Sequence, residues 1–307
     1  MPLKIALSLL ILCGVRIQAA CPELDSSLSP VEISESIREG IAERYSIENR
    51  GRVAVIWQAE RGAVADISMG RLPATKVIPG FNPVDTSNIE VLAREFIAQN
   101  ICELQIDPAT LVRSFCRSSN WDSTGKLTVV SFNQCHDGLP VVGAMVTFRC
   151  IDNTLKGIEN SSVANVNCPT KPRISVEEAL QRLESEEKAR YERGDSLVPI
   201  GRFTRIDSGL DWDFYDIRDS AGAVVPYSKR LIAAQLVLLP RKVGGMLTPI
   251  LSWQIYLGMG LKGQTVPNQR FEIDAITGKL IEREVYGGSC IIPETDPVMS
   301  CGTPITP

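Results

Sequence analysis

Histidine is scarce: the 307 residues contain one, His136. A zinc peptidase of the HExxH kind needs two histidines on one helix face, and a serine hydrolase needs a histidine base, so this scarcity alone excludes most hydrolytic chemistry. Positive charge is not in excess either. The 32 Lys and Arg are outnumbered by 36 Asp and Glu, which leaves no overall electrostatic footprint for nucleic acid. None of the nine cysteines forms a CxxC pair, so neither a zinc ribbon nor a thioredoxin-like redox centre is supported. Beyond the first 20 residues the most apolar run, Leu231 to Leu239, is interrupted by Gln235 and falls far short of the roughly 20 residues a spanning helix needs. These absences point away from an enzyme, a nucleic-acid binder and a membrane-spanning protein, and they call for no cofactor and no metal.

What is present is the composition of an ordinary globular protein, 44% hydrophobic and 22% charged, in a chain long enough for two domains. Residues 1–20 read as a secretory signal peptide: Lys4, an apolar stretch from Ile5 to Val15, then the small pair Ala19-Ala20. A secreted or periplasmic, extracytoplasmic location is therefore expected. Ala19-Ala20-Cys21 also looks like the end of a bacterial lipobox, but Gln18 stands where that signal wants Leu. Loss of the leader removes Cys13 and leaves an even set of thiols, expected to pair as disulfides with the connectivity open. Cys290 and Cys301 alone occupy the tail and are expected to close a small loop there.

Along the chain, Ile33, Ile37, Ile41 and Tyr45 form a helical stripe over 30–46. Residues 52–57 and 63–67 read as a hairpin around Arg61-Gly62. Ser87 to Glu90 is a capping box that opens an amphipathic helix over 88–101, and Ser175 to Glu178 another that opens a charged helix to Arg193. Strands are expected at 127–132, 141–151 and 155–166, with a bend at Asp137-Gly138, and again at 210–217, 234–239, 250–257, 270–273 and 279–286. Helix followed by strands, twice over, is an α+β pattern with a boundary near residues 168–174.

Two stretches resemble a known family. Phe132-Asn-Gln-Cys-His-Asp-Gly-Leu-Pro-Val-Val-Gly143 is similar to the fungalysin/thermolysin propeptide motif, a Gln-containing strand that turns through Gly-x-Pro-Val-x-Gly; its residues here are Gln134, Gly138, Pro140 and Gly143. Residues 231–282 resemble the PepSY domain that follows it, through the Trp253 strand and the turn of Asp274, Thr277 and Gly278. The resemblance implies two cystatin-like domains, each a helix packed on an antiparallel sheet: residues 21–170 as the propeptide domain, 171–286 as the PepSY domain, and 287–307 as a Cys-containing tail. Arg149 stands where the family often has His. Cys135 and Cys150 suggest a locally added disulfide. No HExxH follows the PepSY-like segment.

The function implied is that of a secreted, non-catalytic protein that binds a thermolysin-like zinc metallopeptidase as inhibitor or folding chaperone. The alternatives are an orphan prosegment of an interrupted or separately encoded metallopeptidase, and an envelope binding module with an unrelated ligand. A Cys290–Cys301 bridge competes with a zinc-plugging Cys301 thiolate. Arg193-Gly-Asp-Ser-Leu197 reads as a helix end and polar turn rather than an integrin or hydrolase motif. Asp211 to Asp216 lacks the Gly and Glu of a calcium loop. Asn160-Ser161-Ser162 is a glycosylation sequon.

Overall fold

Ile33, Ile37 and Ile41 of helix α1, Pro30–Arg44, and Tyr45, which caps its C-terminus, are all buried in the computed structural model of the chain. Ser29 caps the N-terminus of α1: the Glu32 N–H donates to the Ser29 hydroxyl, and the Ser29 N–H donates to the Glu32 carboxylate. The structure describes residues 28–82, 86–121, 125–164, 166–194, 202–208, 213–218, 223, 232–257, 260–261, 264–265 and 268–286. One-turn helices α2, Ala74–Val77, and α4, Ile101–Leu104, flank α3, Thr86–Gln99. The apolar stripe of α3 is buried as its spacing predicts, although the helix starts ahead of Ser87, the expected cap. Helix α5, Val176–Glu192, has the expected cap, with the Glu178 N–H donating to Ser175 Oγ at 3.2 Å and the Ser175 N–H to Glu178 Oε2 at 2.7 Å.

The first half contributes β1 (Ala54–Gln58), β2 (Ala63–Pro73), β3 (Leu111–Trp121), β4 (Gly125–His136), β5 (Leu139–Ile151) and β6 (Thr154–Asn160), in the antiparallel order β1-β2-β6-β5-β4-β3. The second half contributes β7 (Arg202–Ser208), β8 (Asp213–Arg218), β9 (Ile232–Val243), β10 (Met246–Leu257), β13 (Asn268–Asp274) and β14 (Leu280–Tyr286), in the order β7-β8-β9-β10-β13-β14. A two-residue pair, β11 (Gly260–Leu261) with β12 (Gln264–Thr265), stands apart. The architecture is α+β, as the sequence pattern implies. Among the described residues no helix is long and apolar enough to cross a membrane.

The two runs of strands share one 12-stranded sheet because Val141 of β5 lies beside Leu238 of β9, a parallel pairing between otherwise antiparallel neighbours. Three apolar clusters follow. In the first, α1 and α3 cover their sheet with Tyr45 stacked on Phe96 at 5.4 Å and Phe148 edge-on to Phe96 and Phe132. In the second, Leu180 and Leu183 of α5 meet Ile255, Phe271 and Ile273. The third is small and lies between them: Val141, Ala144, Val163, Leu238, Leu251 and Ala275.

Apart from the two-residue pair, β3 and β7 depart from expectation by existing; β2, β4 and β9 run longer than expected and β6 ends early. β3 and β7 are sheet edges. The β3 sequence Arg113-Ser-Phe-Cys-Arg-Ser-Ser119 lacks the apolar alternation of a half-buried strand, because none of these edge residues is fully buried and the bulge between Arg113 and Phe115 breaks the period of two. The strand expected over 155–166 stops at Asn160, whose side-chain oxygen accepts from the Ser162 N–H at 2.8 Å and turns the chain. The third cluster makes the halves interdependent. Leu238→Ala, which opens a cavity there, is expected to cost about 2–5 kcal/mol and to split one calorimetric unfolding transition into two; an unsplit transition in the variant would show that the halves are not coupled at this point.

Candidate functional site

Asp137 and Gly138, at φ 49° and 81°, form the two-residue loop between His136 and Leu139. Both lie in the left-handed region, as the mirror-image hairpin turn requires, and glycine meets that demand at no steric cost. Asn133 then faces Met145 while Cys135 faces Pro140, so the segment from Val141 to Ala144 has only Gln134 across from it. This is a bulge, made possible by Gly143 at φ 69°. Through it β5 swings away from β4 and Val141 reaches β9. Gln134, itself buried, turns to the linker that follows β6: its Nε2 donates to the Val163 carbonyl at 2.8 Å and its Oε1 accepts the Val163 N–H at 2.9 Å. Ser161 secures the bulge, donating to the Gly143 carbonyl at 2.7 Å and accepting the Met145 N–H at 2.9 Å. A second contact between the halves joins the β1–β2 turn to the β9–β10 hairpin, where Lys242 pairs with Glu60 at 2.9 Å and the Leu247 N–H donates to the Glu60 carbonyl.

Asp274 Oδ1 accepts the N–H groups of Ile276 and Thr277, each at 2.8 Å, and the Gly278 N–H closes onto the Asp274 carbonyl at 2.7 Å. Gly278 has φ 73°, and the Arg182 guanidinium of α5 lies 1.9 Å from where a Cβ would stand. Arg182 donates to the Thr277 carbonyl at 2.8 Å, and Trp253 Nε1 donates to the Ile174 carbonyl at 3.1 Å, so both tie α5 to the sheet. The hairpin set and the turn set do not converge as reactive groups. They border the same small cluster from two sides, Val141 from one and Ala275 with half-buried Trp253 from the other.

Sequence reasoning missed the polar row on the sheet face turned away from Phe271 and Ile273. Gln235, Gln254 and Glu272 are register neighbours on β9, β10 and β13, and all are buried, Glu272 completely. Gln254 donates to Glu272 Oε1 at 2.8 Å, Ser252 to Oε2 at 3.2 Å, and Arg270 pairs with the carboxylate at 3.2 Å. Arg270 also reaches Glu284 at 2.9 Å, and Arg241 pairs with Glu282. Burial pushes the Glu272 carboxyl up to about 6, against the opposing pull of Gln254 and Arg270. The available signal was Ser252 and Gln254 alternating with Leu251, Trp253 and Ile255: a solvated face would favour charge over uncharged polar side chains.

The other candidates resolve into structural roles. His136 lies 3.9 Å from the exposed Asp137 at the bend. Arg149 pairs with Glu159 at 2.5 Å. Asn160 of the sequon is buried, its Nδ2 donating to the Val64 carbonyl at 2.6 Å, so the folded protein offers no acceptor amide there. The expected pairing of all the cysteines does not hold for Cys150 and Cys168, which carry thiols, while Cys102 and Cys135 are disulfide-bonded. A Cys135–Cys150 bridge does not form because Cys135 sits opposite Pro140 at the hairpin end, while Cys150 sits opposite Thr128 at the far end of β5. Burial pushes the Cys150 thiol up to about 12 and raises that of Cys168 as well, which makes both poor nucleophiles. Gly194, at φ 79°, ends α5 as a left-handed cap. Cys290 and Cys301, the rest of the Gly-Asp-Ser-Leu string, and Asp211 with Trp212 lie outside the described residues. Among the described residues no group of three His, Cys, Asp or Glu side chains is placed to hold a metal.

No family model matches the chain, and no curated protein does. Among solved structures it is similar to the C-terminal domain of YpeB from Bacillus megaterium, at 11% identity over 83% of this chain and 97% of that one, with a TM-score of 0.32. At this TM-score the architecture rests on the chain's own strand order.

Gln134→Leu leaves the Val163 N–H and carbonyl buried without partners and is expected to cost about 2–4 kcal/mol; a chemical denaturation midpoint unchanged from wild type would refute the clamp. Glu272 titrates near 4.5 unfolded and about 6 folded, so the native state holds the proton more tightly. Its contribution to stability is complete below pH 4.5 and is lost as pH rises through 6. Glu272→Gln is therefore expected to match wild type at the acid end and to gain about 2 kcal/mol above pH 7; a stability difference that does not vary with pH would contradict it.

Proposed function

We propose that the chain is a non-catalytic, prosegment-like binding protein of two cystatin-like halves, exported from the cytoplasm, that docks a thermolysin-like zinc metallopeptidase as inhibitor or folding chaperone. One observation supports this most. The residues that carry the resemblance to such prosegments build the frame: Gln134 holds Val163, Val141 meets Leu238, and Asp274 shapes the turn beneath α5. A frame of this kind acts by surface complementarity, with no reactive group consumed. The side chains with chemical potential are likewise committed to packing or pairing, as with Glu272 in its hydrogen-bonded row and Cys150 in the first core.

The test is the residual activity and the refolding yield of co-secreted zinc peptidases titrated with the mature protein. A stoichiometric change in either quantity is expected, with no chelator-sensitive proteolysis by the protein itself. If neither quantity changes for any co-secreted metallopeptidase, the chain is instead a binding module for an unrelated ligand.

A further inference from the structure

Among the described residues the first half's part of the sheet ends at two strands, β1 and β3, and β3 pairs with β4 alone. The difference between them is length: β1 has 5 residues and β3 has 11. An edge strand presents a row of main-chain donors and acceptors to whatever extended chain can align with it, and proteins commonly blunt such edges with proline, short length or coverage. β3 carries no proline, and Arg113, Ser114, Phe115, Arg117 and Ser119 along it are exposed, Phe115 to 45%. Its one irregularity is the bulge between Arg113 and Phe115.

Charge on this edge is of one sign. Strands β3 and β4 carry Arg113, Arg117 and Lys126 and no Asp or Glu, in a chain whose net charge is −4. Arg113 turns to the helix side, where Glu90 of α3 meets it at 3.1 Å. Phe115 and Arg117 are two residues apart, opposite Ser131 and Val129, and so share the face turned away from the helices. A second copy adding at this edge would set a basic strand against a basic strand, which disfavours self-association.

We propose that β3 is a strand-addition edge for an extended polypeptide segment of another protein, with an apolar side chain opposite Phe115 and an acidic one two positions along opposite Arg117. Main-chain hydrogen bonds provide the alignment, and the Phe115–Arg117 pair provides the selectivity. The proposal goes beyond the metallopeptidase reading and stands whether or not that reading does.

The probe is a synthetic Thr-rich peptide with alternate positions occupied by Val and Glu, and a partner peptide with Lys in place of Glu, each fluorescently labelled and titrated with the full chain. Saturable binding of the Glu peptide is expected, at least roughly tenfold tighter than that of the Lys peptide, with slowed hydrogen exchange confined to residues 111–121. Arg117→Glu alters an exposed side chain and is expected to invert the preference while leaving the circular dichroism unchanged. Failure of the Glu peptide to bind, equal binding of both peptides, a preference that survives Arg117→Glu, or protection at residues 280–286 instead would each overturn the proposal. So would sedimentation showing a dimer whose formation protects β3.

Discussion

The strand pairing between the two halves depends on the bulge opposite Gln134. If β5 stayed in register with β4 to the hairpin, Val141 would point along its own sheet and β9 would have no neighbour in the first half. The extra residues between Asn133's partner and Cys135's partner bend the strand outward, and Gln134 fills the gap they leave by holding a peptide unit of the linker. A side-chain amide is suited to this task because it matches one N–H and one carbonyl at once. Leucine would fill the same space and leave both groups buried and unpaired.

The second half is organised by where its charge is hidden. On the helix side Glu187, almost fully buried, is met at 3.5 Å by both Arg190 and Arg283, and Arg283 also lies over the Phe271 ring. Burial raises the Glu187 carboxyl, and the Arg190 charge opposes that rise. On the far side Glu272 sits in the Gln254 and Ser252 row. The two carboxylates favour a single register, because a slip of one residue would carry Glu272 of β13, or Arg283 of β14, onto the other face and away from its partners.

The parts legible in the sequence were those where burial is one-sided and periodic. The α1 stripe, the capped α5, the Asp137-Gly138 bend and the Asp274 turn each declare themselves through spacing or through a residue that the backbone geometry demands. The edge strands did not, since β3 carries Ser, Arg and Asn where a central strand would carry Val or Ile. The Gln134 clamp was legible as a motif but not as a contact, because its partner Val163 lies 29 residues along the chain in a linker. The Glu272 row was hidden for the opposite reason: alternating polar residues suggest solvent, and only the fold buries them.

The joint also has a history within each newly made molecule. Gln134 and Val163 belong to the same half, so their clamp can close as soon as that half has left the ribosome, whereas Val141 must wait for Leu238 and Glu60 must wait for Lys242, 182 residues away. Contacts of such long sequence separation form late. Until they do, Val141, Ala144 and Val163 form an uncovered apolar seam on an otherwise finished half. During synthesis that seam is the surface most open to capture by the wrong strand, and the arrival of β9 is the event that closes it.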